Sequence, residues 1–244
     1  MNLVIDRGNT QIKLGIFDQR KLVKSDSINF LDKQSIENIK DNYSIEQIIV
    51  SSVVQENHEA LLANLRLISK KLLDLTHQTP LPFKWNYNTK TTIGKDRLAA
   101  VAGGITLHPH SNILVIDAGT AITYEIVSAN HEFKGGNISP GMKMRFQALN
   151  TFTSKLPLVT ANEDFQLIGT CTRTAIESGV QNGIIFEIDG LISDLSTQYK
   201  GLKTIITGGD AEFFARKLKN PIFAYPNLVL IGLNRILEHN AQYI

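Results

Sequence analysis

A single cysteine, Cys171, in 244 residues excludes an intrachain disulfide, and such sparse thiol usage fits a reducing compartment. Long apolar runs are also missing. No stretch reaches the roughly 18 residues of a membrane-spanning helix, so no span is expected. The opening Met1-Asn2-Leu3-Val4-Ile5-Asp6 lacks the charged head, apolar stretch and small-residue cleavage site of a secretory leader. An excess of one charge sign is absent as well: 25 basic against 23 acidic side chains leave a formal net charge of +2. That balance gives no electrostatic ground for nucleic acid or an anionic membrane surface as the main partner, while allowing a local basic pocket. Gly-x-x-x-x-Gly-Lys-Ser/Thr does not occur, which argues against a P-loop protein. The expectation is a soluble cytoplasmic protein that binds neither nucleic acid nor membrane.

What is present reads as a folded α/β chain. Hydrophobic residues make up 43% and charged residues 20%, the balance of a globular protein of one large or two ordinary domains. The most informative feature is an internal repeat. Leu3-Val4-Ile5-Asp6-Arg7-Gly8 returns as Leu114-Val115-Ile116-Asp117-Ala118-Gly119, each an apolar run ending in Asp-x-Gly. Each copy continues into an alternating segment, Ile12, Leu14 and Ile16 in one and Ile122, Tyr124 and Ile126 in the other. This predicts a strand–turn–strand unit in each half, with a boundary near His108-Pro109-His110-Ser111 and domains at 1–109 and 110–244. Further strands are predicted over Gln47–Val54 and Thr204–Ile206, and a short apolar run covers Leu72–Leu75. Helices are predicted through Leu61–Ile68, from Lys95 to Leu107 after Gly94, and over Leu228–Leu237. Ala175–Leu195 carries apolar residues at three- and four-residue spacing, with Gly179, Gly183 and Gly190 expected to weaken or bend that helix. Intermixed strands and helices point to α/β architecture.

The chemistry-bearing residues suit a nucleoside triphosphate. Phosphates need turn amides, Mg²⁺ needs a carboxylate, and the attacking hydroxyl needs a second carboxylate to orient it. Asp6-Arg7-Gly8-Asn9-Thr10, with Lys13 close behind, supplies turn amides, an acidic strand end and a cation. A plain hairpin with a surface aspartate is the blander reading, and the second copy, Asp117-Ala118-Gly119-Thr120, weighs against it. Gly94-Lys95-Asp96-Arg97 places a carboxylate and a forked cation at a helix start, where an ordinary cap is the competing explanation. Thr207-Gly208-Gly209 is by itself only a glycine turn after a strand.

Taken in order, these motifs resemble type III pantothenate kinase, a family of the actin-like ATPase superfamily. To the segments above are added Ser51-Ser52-Val53-Val54, Tyr87, Gly135-Gly136-Asn137-Ile138-Ser139-Pro140-Gly141, Leu156-Pro157, Gly169-Thr170-Cys171-Thr172, Ser178-Gly179 and Asp210-Ala211. The likeness spans essentially the whole chain. It implies a duplicated actin-like (ribonuclease H-like) fold with a nucleotide cleft, and transfer of the γ-phosphate of ATP to pantothenate on the way to coenzyme A. It implies ATP contacts from Asp6, Arg7, Gly8, Asn9, Thr10, Gln11, Ile12, Lys13 and Thr120, with Asp6 near Mg²⁺. Asp96 would be the general base; Tyr87, Gly94, Lys95, Asp96, Arg97 and Thr172 would hold pantothenate. Asp117 would bind a monovalent cation, K⁺ or NH₄⁺, and the protein would be a homodimer, with the Ala175–Leu195 helix a candidate for its interface.

Three positions depart from the family's usual pattern: Arg7 for an apolar residue, Ala100 for an asparagine after the Asp-Arg pair, and Glu125 for an aspartate. A transcriptional accessory role, or an actin-like kinase with another small substrate, stays open as an alternative. Other conspicuous residues have plainer readings: His108 and His110 as a surface turn, Trp85 as packing, Lys70-Lys71 as a solvated face, and Cys171 as a small filler.

Overall fold

The computed structural model describes residues 1–8, 11–54 and 56–244. In chain order the elements are β1 (Asn2–Arg7), β2 (Ile12–Asp18), β3 (Lys21–Ile28), α1 (Lys33–Asn42), β4 (Gln47–Ser52), α2 (His58–Leu65), β5 (Lys71–Asp74), β6 (Lys84–Trp85) and α3 (Lys95–Leu107). They continue with β7 (Ile113–Ala118), β8 (Ala121–Ser128), β9 (Glu132–Pro140), α4 (Met142–Thr151), α5 (Thr172–Gln198), β10 (Lys203–Thr207), α6 (Ala211–Ala215), β11 (Phe223–Ala224) and α7 (Leu228–Asn240). Two compact units result: residues 1–109 with 131–133 and 227–244, and residues 110–130 with 134–226.

The first unit is built on a sheet of order β3-β2-β1-β4-β5. Strand β1 runs antiparallel to β2 and parallel to β4, which is parallel to β5. Leu3, Val4, Ile5, Ile48, Ile49 and Val50 are all fully buried, as expected for central strands covered on both faces. Edge strand β3 is mostly exposed and carries Lys21, Lys24 and Asp26, charges that discourage pairing with another chain.

The second unit repeats this plan. Strand β7 is antiparallel to β8 and parallel to β10, which is parallel to β11; the order is β11-β10-β7-β8-β9-β6, the two-residue β6 running parallel to Glu132–Phe133 at the start of β9. Each strand of the first sheet thus has a counterpart, and the repeat read from Leu3–Gly8 and Leu114–Gly119 sits on equivalent strands. Helix α5 is continuous for 27 residues. Its glycines do not break it, because Ile176, Val180, Ile184, Ile188 and Ile192 anchor the opposite face in the core.

The closing helix belongs with the first unit although it follows the second in sequence. Helices α3 and α7 meet at Gly103 and Gly232, where an added Cβ would collide with the carbonyl oxygens of Leu228 and Ala99 respectively. Helix α3 is buried around its whole girth from Arg97 to Ile105, the pattern of a helix inside a core rather than on its surface.

Candidate active site

In the first unit the hairpin of β1 and β2 presents the leading acidic and basic groups together. Asp6 pairs in register with Lys13 on β2 and with Ser51 on β4. Directly opposed residues on neighbouring strands hold their Cβ atoms about 5 Å apart, so the two side chains start side by side. The Gly8 amide donates to the Gln11 carbonyl (3.0 Å), closing the base of the turn. Arg7 turns its guanidinium to the Glu56 carbonyl (2.8 Å), which ties β1 to the segment leading into α2. Gln11 is exposed and Ile12 is a core residue. Asn9 and Thr10, expected in the same phosphate loop, lie outside the described residues.

Helix α3 begins where the sequence predicts, with Gly94 as its N-cap. Asp96 folds back so that its Oδ1 accepts from the Arg97 amide (2.9 Å). A Cβ on residue 94 would overlap that same oxygen. Arg97 is only 6% exposed, and a buried guanidinium persists only with partners for its charge and donors. Lys95 is half-buried beside it. Tyr87 stacks on Phe133 with ring centroids 6.1 Å apart, and the Lys90 ammonium stands 4.9 Å over the Trp85 ring. Both aromatics are therefore packed and only partly exposed.

The second unit assembles Asp117 and Thr120 with residues the site prediction did not include. Asp117 pairs in register with Thr123 on β8 and Thr207 on β10. Beyond β10, Gly208 adopts a left-handed φ of +96°, a conformation glycine takes without penalty. A Cβ there would crowd Ala118 O and stand 2.5 Å from Asp117 Oδ1. The Asp210 amide then donates to Ala118 O (2.9 Å), so this glycine turn is docked on the strand end carrying Asp117. Burial pushes the Asp210 carboxyl up from its ordinary value. Thr120 is exposed at the tip between β7 and β8, and its carbonyl accepts from Gly141 N–H (3.0 Å). Gly141 was legible as part of a motif, but its contact with the turn was not.

Thr172 is exposed in the first turn of α5. Cys171 corrects the filler reading: it is exposed and stands at the N-cap of α5. Thr174 Oγ1 accepts from the amides of Thr170 and Cys171 (both 3.0 Å), fixing the strand-like approach to the helix. The Cys171 thiol is held below its ordinary pKa, first by the hydrogen bond with Thr174.

Among the described residues no group of three or more His, Cys, Asp or Glu side chains gathers as a ready metal cage. The available donors are lone strand-end carboxylates and hydroxyls. Such a set suits hard cations held jointly by protein, water and phosphate, as Mg²⁺ prefers, and does not suit a soft transition metal.

The family model for type III pantothenate kinase matches residues 2–194. A type III pantothenate kinase from Phocaeicola vulgatus is 43% identical, the alignment covering 98% of this chain and 99% of the relative. A solved structure from Campylobacter jejuni, described as a candidate Baf family transcriptional activator, has a TM-score of 0.65 at 24% identity, over 98% of this chain and 99% of that one. A ROK family glucokinase from Streptomyces griseus, in complex with glucose and AMPPNP, gives 0.53 at 11% identity over 98% and 99%. These structural likenesses show the fold, the duplicated actin-like ATPase architecture. Matched by the family model over residues 2–194 and by a relative along nearly its entire length, the chain belongs to the type III pantothenate kinase family.

Proposed function

We propose that this protein transfers the γ-phosphoryl group of ATP to the primary hydroxyl of pantothenate, giving 4′-phosphopantothenate, the first step towards coenzyme A. The observation that carries the reading is the pair of equivalent hairpins, β1–β2 and β7–β8, with Asp6 and Asp117 at matching strand ends in a chain of this family.

In this reaction the bond from the γ-phosphorus to the ADP oxygen breaks as the pantothenate oxygen bonds to phosphorus. Asp96 aligns the hydroxyl and takes its proton, and the carboxylate is preset by the Arg97 amide. Tyr87, Gly94, Lys95, Arg97 and Thr172 hold pantothenate. The Asp6–Lys13 hairpin and Thr120 hold ATP, with the ammonium of Lys13 answering phosphate charge. Mg²⁺ beside Asp6, and K⁺ or NH₄⁺ beside Asp117, would neutralise charge on the polyphosphate. Most of the rate enhancement comes from positioning and preorganised charge rather than covalent chemistry.

The working unit is a cytoplasmic homodimer. Helix α5 supports this with an open face: among the described residues, and apart from the helix's own backbone, no heavy atom lies within 4 Å of where a Cβ on Gly179, Gly183 or Gly190 would stand, and Phe186 beside them is 55% exposed. Among the described residues no helix is long and apolar enough to cross a membrane.

The deciding assay is ATP-dependent phosphorylation of pantothenate with Mg²⁺, in potassium and then sodium buffer. Turnover that requires potassium or ammonium supports both the acceptor and the cation site. Folded protein that binds ATP and leaves pantothenate untouched overturns the acceptor assignment.

A further inference from the structure

We infer that Arg145, Glu187 and Tyr124 form a positioning clasp that sets the Gly119-Thr120 turn from behind, so that ATP use depends on them while pantothenate binding does not. The inference rests on the proposed role of that turn in holding ATP.

The contacts close a ring. The carbonyl of Thr120 accepts from the Gly141 amide (3.0 Å). No side chain fits at residue 141, because a Cβ would press on the carbonyl oxygens of Gly119 and Thr120. Backbone therefore lies directly on backbone, and any shift of residues 139–141 passes to the turn. One helical turn later, Arg145 fixes that segment. Its Nε donates to Pro140 O and its Nη2 to Ser139 Oγ, both at 2.8 Å, and its own amide donates to Gly141 O (3.0 Å).

Arg145 is itself held by Glu187 on α5, through Nη2 to Oε2 at 2.5 Å. The other Glu187 oxygen accepts from the Tyr124 hydroxyl (2.6 Å). Tyr124 is 2% exposed and lies on β8, the strand that leaves the Thr120 turn. The path thus returns to its start: turn, β8, α5, α4 and back to the turn. A planar guanidinium can serve a carbonyl, a hydroxyl and a carboxylate at once in fixed directions, which an ammonium cannot.

A simple staple between α4 and α5 would need none of this directionality. It would stabilise the fold without favouring one substrate. None of the three residues is expected to touch ATP or pantothenate, so they act through the turn.

The test uses the full chain with Arg145→Met, Arg145→Lys, Glu187→Gln and Tyr124→Phe, measuring kcat, both KM values and Tm. Arg145→Met is expected to lower kcat/KM for ATP about tenfold or more, with the KM for pantothenate within about twofold. Arg145→Lys should recover part of the loss. Combining Tyr124→Phe with Arg145→Met should add less than the two changes separately, because both cut one ring. Where Arg145→Met does not fold, Tyr124→Phe, which removes a single oxygen, must show the same split. A fall in Tm with unchanged kcat/KM for ATP, or equal losses towards both substrates, overturns the clasp. Wild-type protein that binds ATP in calorimetry without phosphorylating pantothenate overturns the acceptor assignment alone, and the clasp is then judged by the variants' ATP Kd. Wild-type protein that binds no ATP overturns both.

Discussion

Gly94 and Asp96 are fitted to each other: the Asp96 carboxylate occupies the space that a side chain on residue 94 would need. The N-cap glycine of α3 is therefore required by its neighbour's position as much as by the turn. Asp96→Asn keeps the shape and removes the basic oxygen, so kcat should fall by roughly 10² to 10⁴, with ATP binding and Tm near wild type. Gly94→Ala keeps the base and displaces it, which should cost roughly 10- to 100-fold in kcat. Steady-state kinetics beside calorimetric ATP binding separates the two. Wild-type turnover in Asp96→Asn would remove that residue from the mechanism.

Lys13 faces Asp6 across the β1–β2 ladder, and its reach defines its task. A charge-assisted hydrogen bond contributes about 1.5–3 kcal/mol, equivalent to roughly 10- to 100-fold in affinity. Lys13→Met should raise the KM for ATP by that factor and leave the KM for pantothenate within about twofold. Equal effects on both substrates would show that the residue supports the hairpin rather than the phosphates.

The two hairpins and the start of α3 were legible because local signals coincide there: apolar runs that end in Asp-x-Gly, and a glycine just before an alanine-rich helix. Strand β3 was not, since Lys21, Lys24 and Asp26 leave it almost without an apolar face. Helix α4 buries only Met142 and Phe146, too few for a stripe. The place of α7 is set by its close approach to α3 at Gly103 and Gly232, a relation between segments far apart in sequence. Of the site, Asp6, Lys13, Asp96 and Asp117 could be named from motifs. The clasp could not, because Glu187 lies 42 residues from Arg145 and 63 from Tyr124.

The Glu187 carboxylate also gives the fold an acid-sensitive joint. Burial alone would push its carboxyl up, but hydrogen bonds from Arg145, Tyr124 and Ser139, with the Arg145 charge, hold it below its ordinary value. A carboxyl lowered in the folded state contributes stability above its unfolded value, and loses it as pH falls through the folded one. The Tm advantage of wild type over Glu187→Gln should be complete at pH 7 and shrink below about pH 4.5. Scanning calorimetry from pH 7 to pH 3 reads it directly. A constant gap would mean that the ionised form adds nothing beyond shape.

Gly232→Ala tests the helix pair that joins α7 to the first unit. The new methyl would fall on Ala99 O and 2.7 Å from Gly103 N, both backbone atoms with little freedom to yield. Overpacking of this kind costs about 3 kcal/mol, a Tm drop of roughly 6–12 °C for a chain of this size. A change under about 2 °C would mean that α3 and α7 can part without loss.

Gly179, Gly183, Phe186 and Gly190 recur at spacings that place them along one side of α5, opposite the isoleucines that anchor it. In a lone protomer that face is wet, and replacing one of its glycines by alanine should stabilise the helix by about 1 kcal/mol. Against a second copy the same face sets how closely two helices approach. Gly183→Glu would then force a charge into the seam. Light scattering should give twice the chain mass for wild type and the single mass for Gly183→Glu, with the helical signal intact. Because Thr172, proposed to hold pantothenate, opens this same helix, the variant's KM for pantothenate should rise more than its KM for ATP. An undiminished Gly183→Glu dimer would place the seam on another face, and a monomeric wild type would dispose of the dimer.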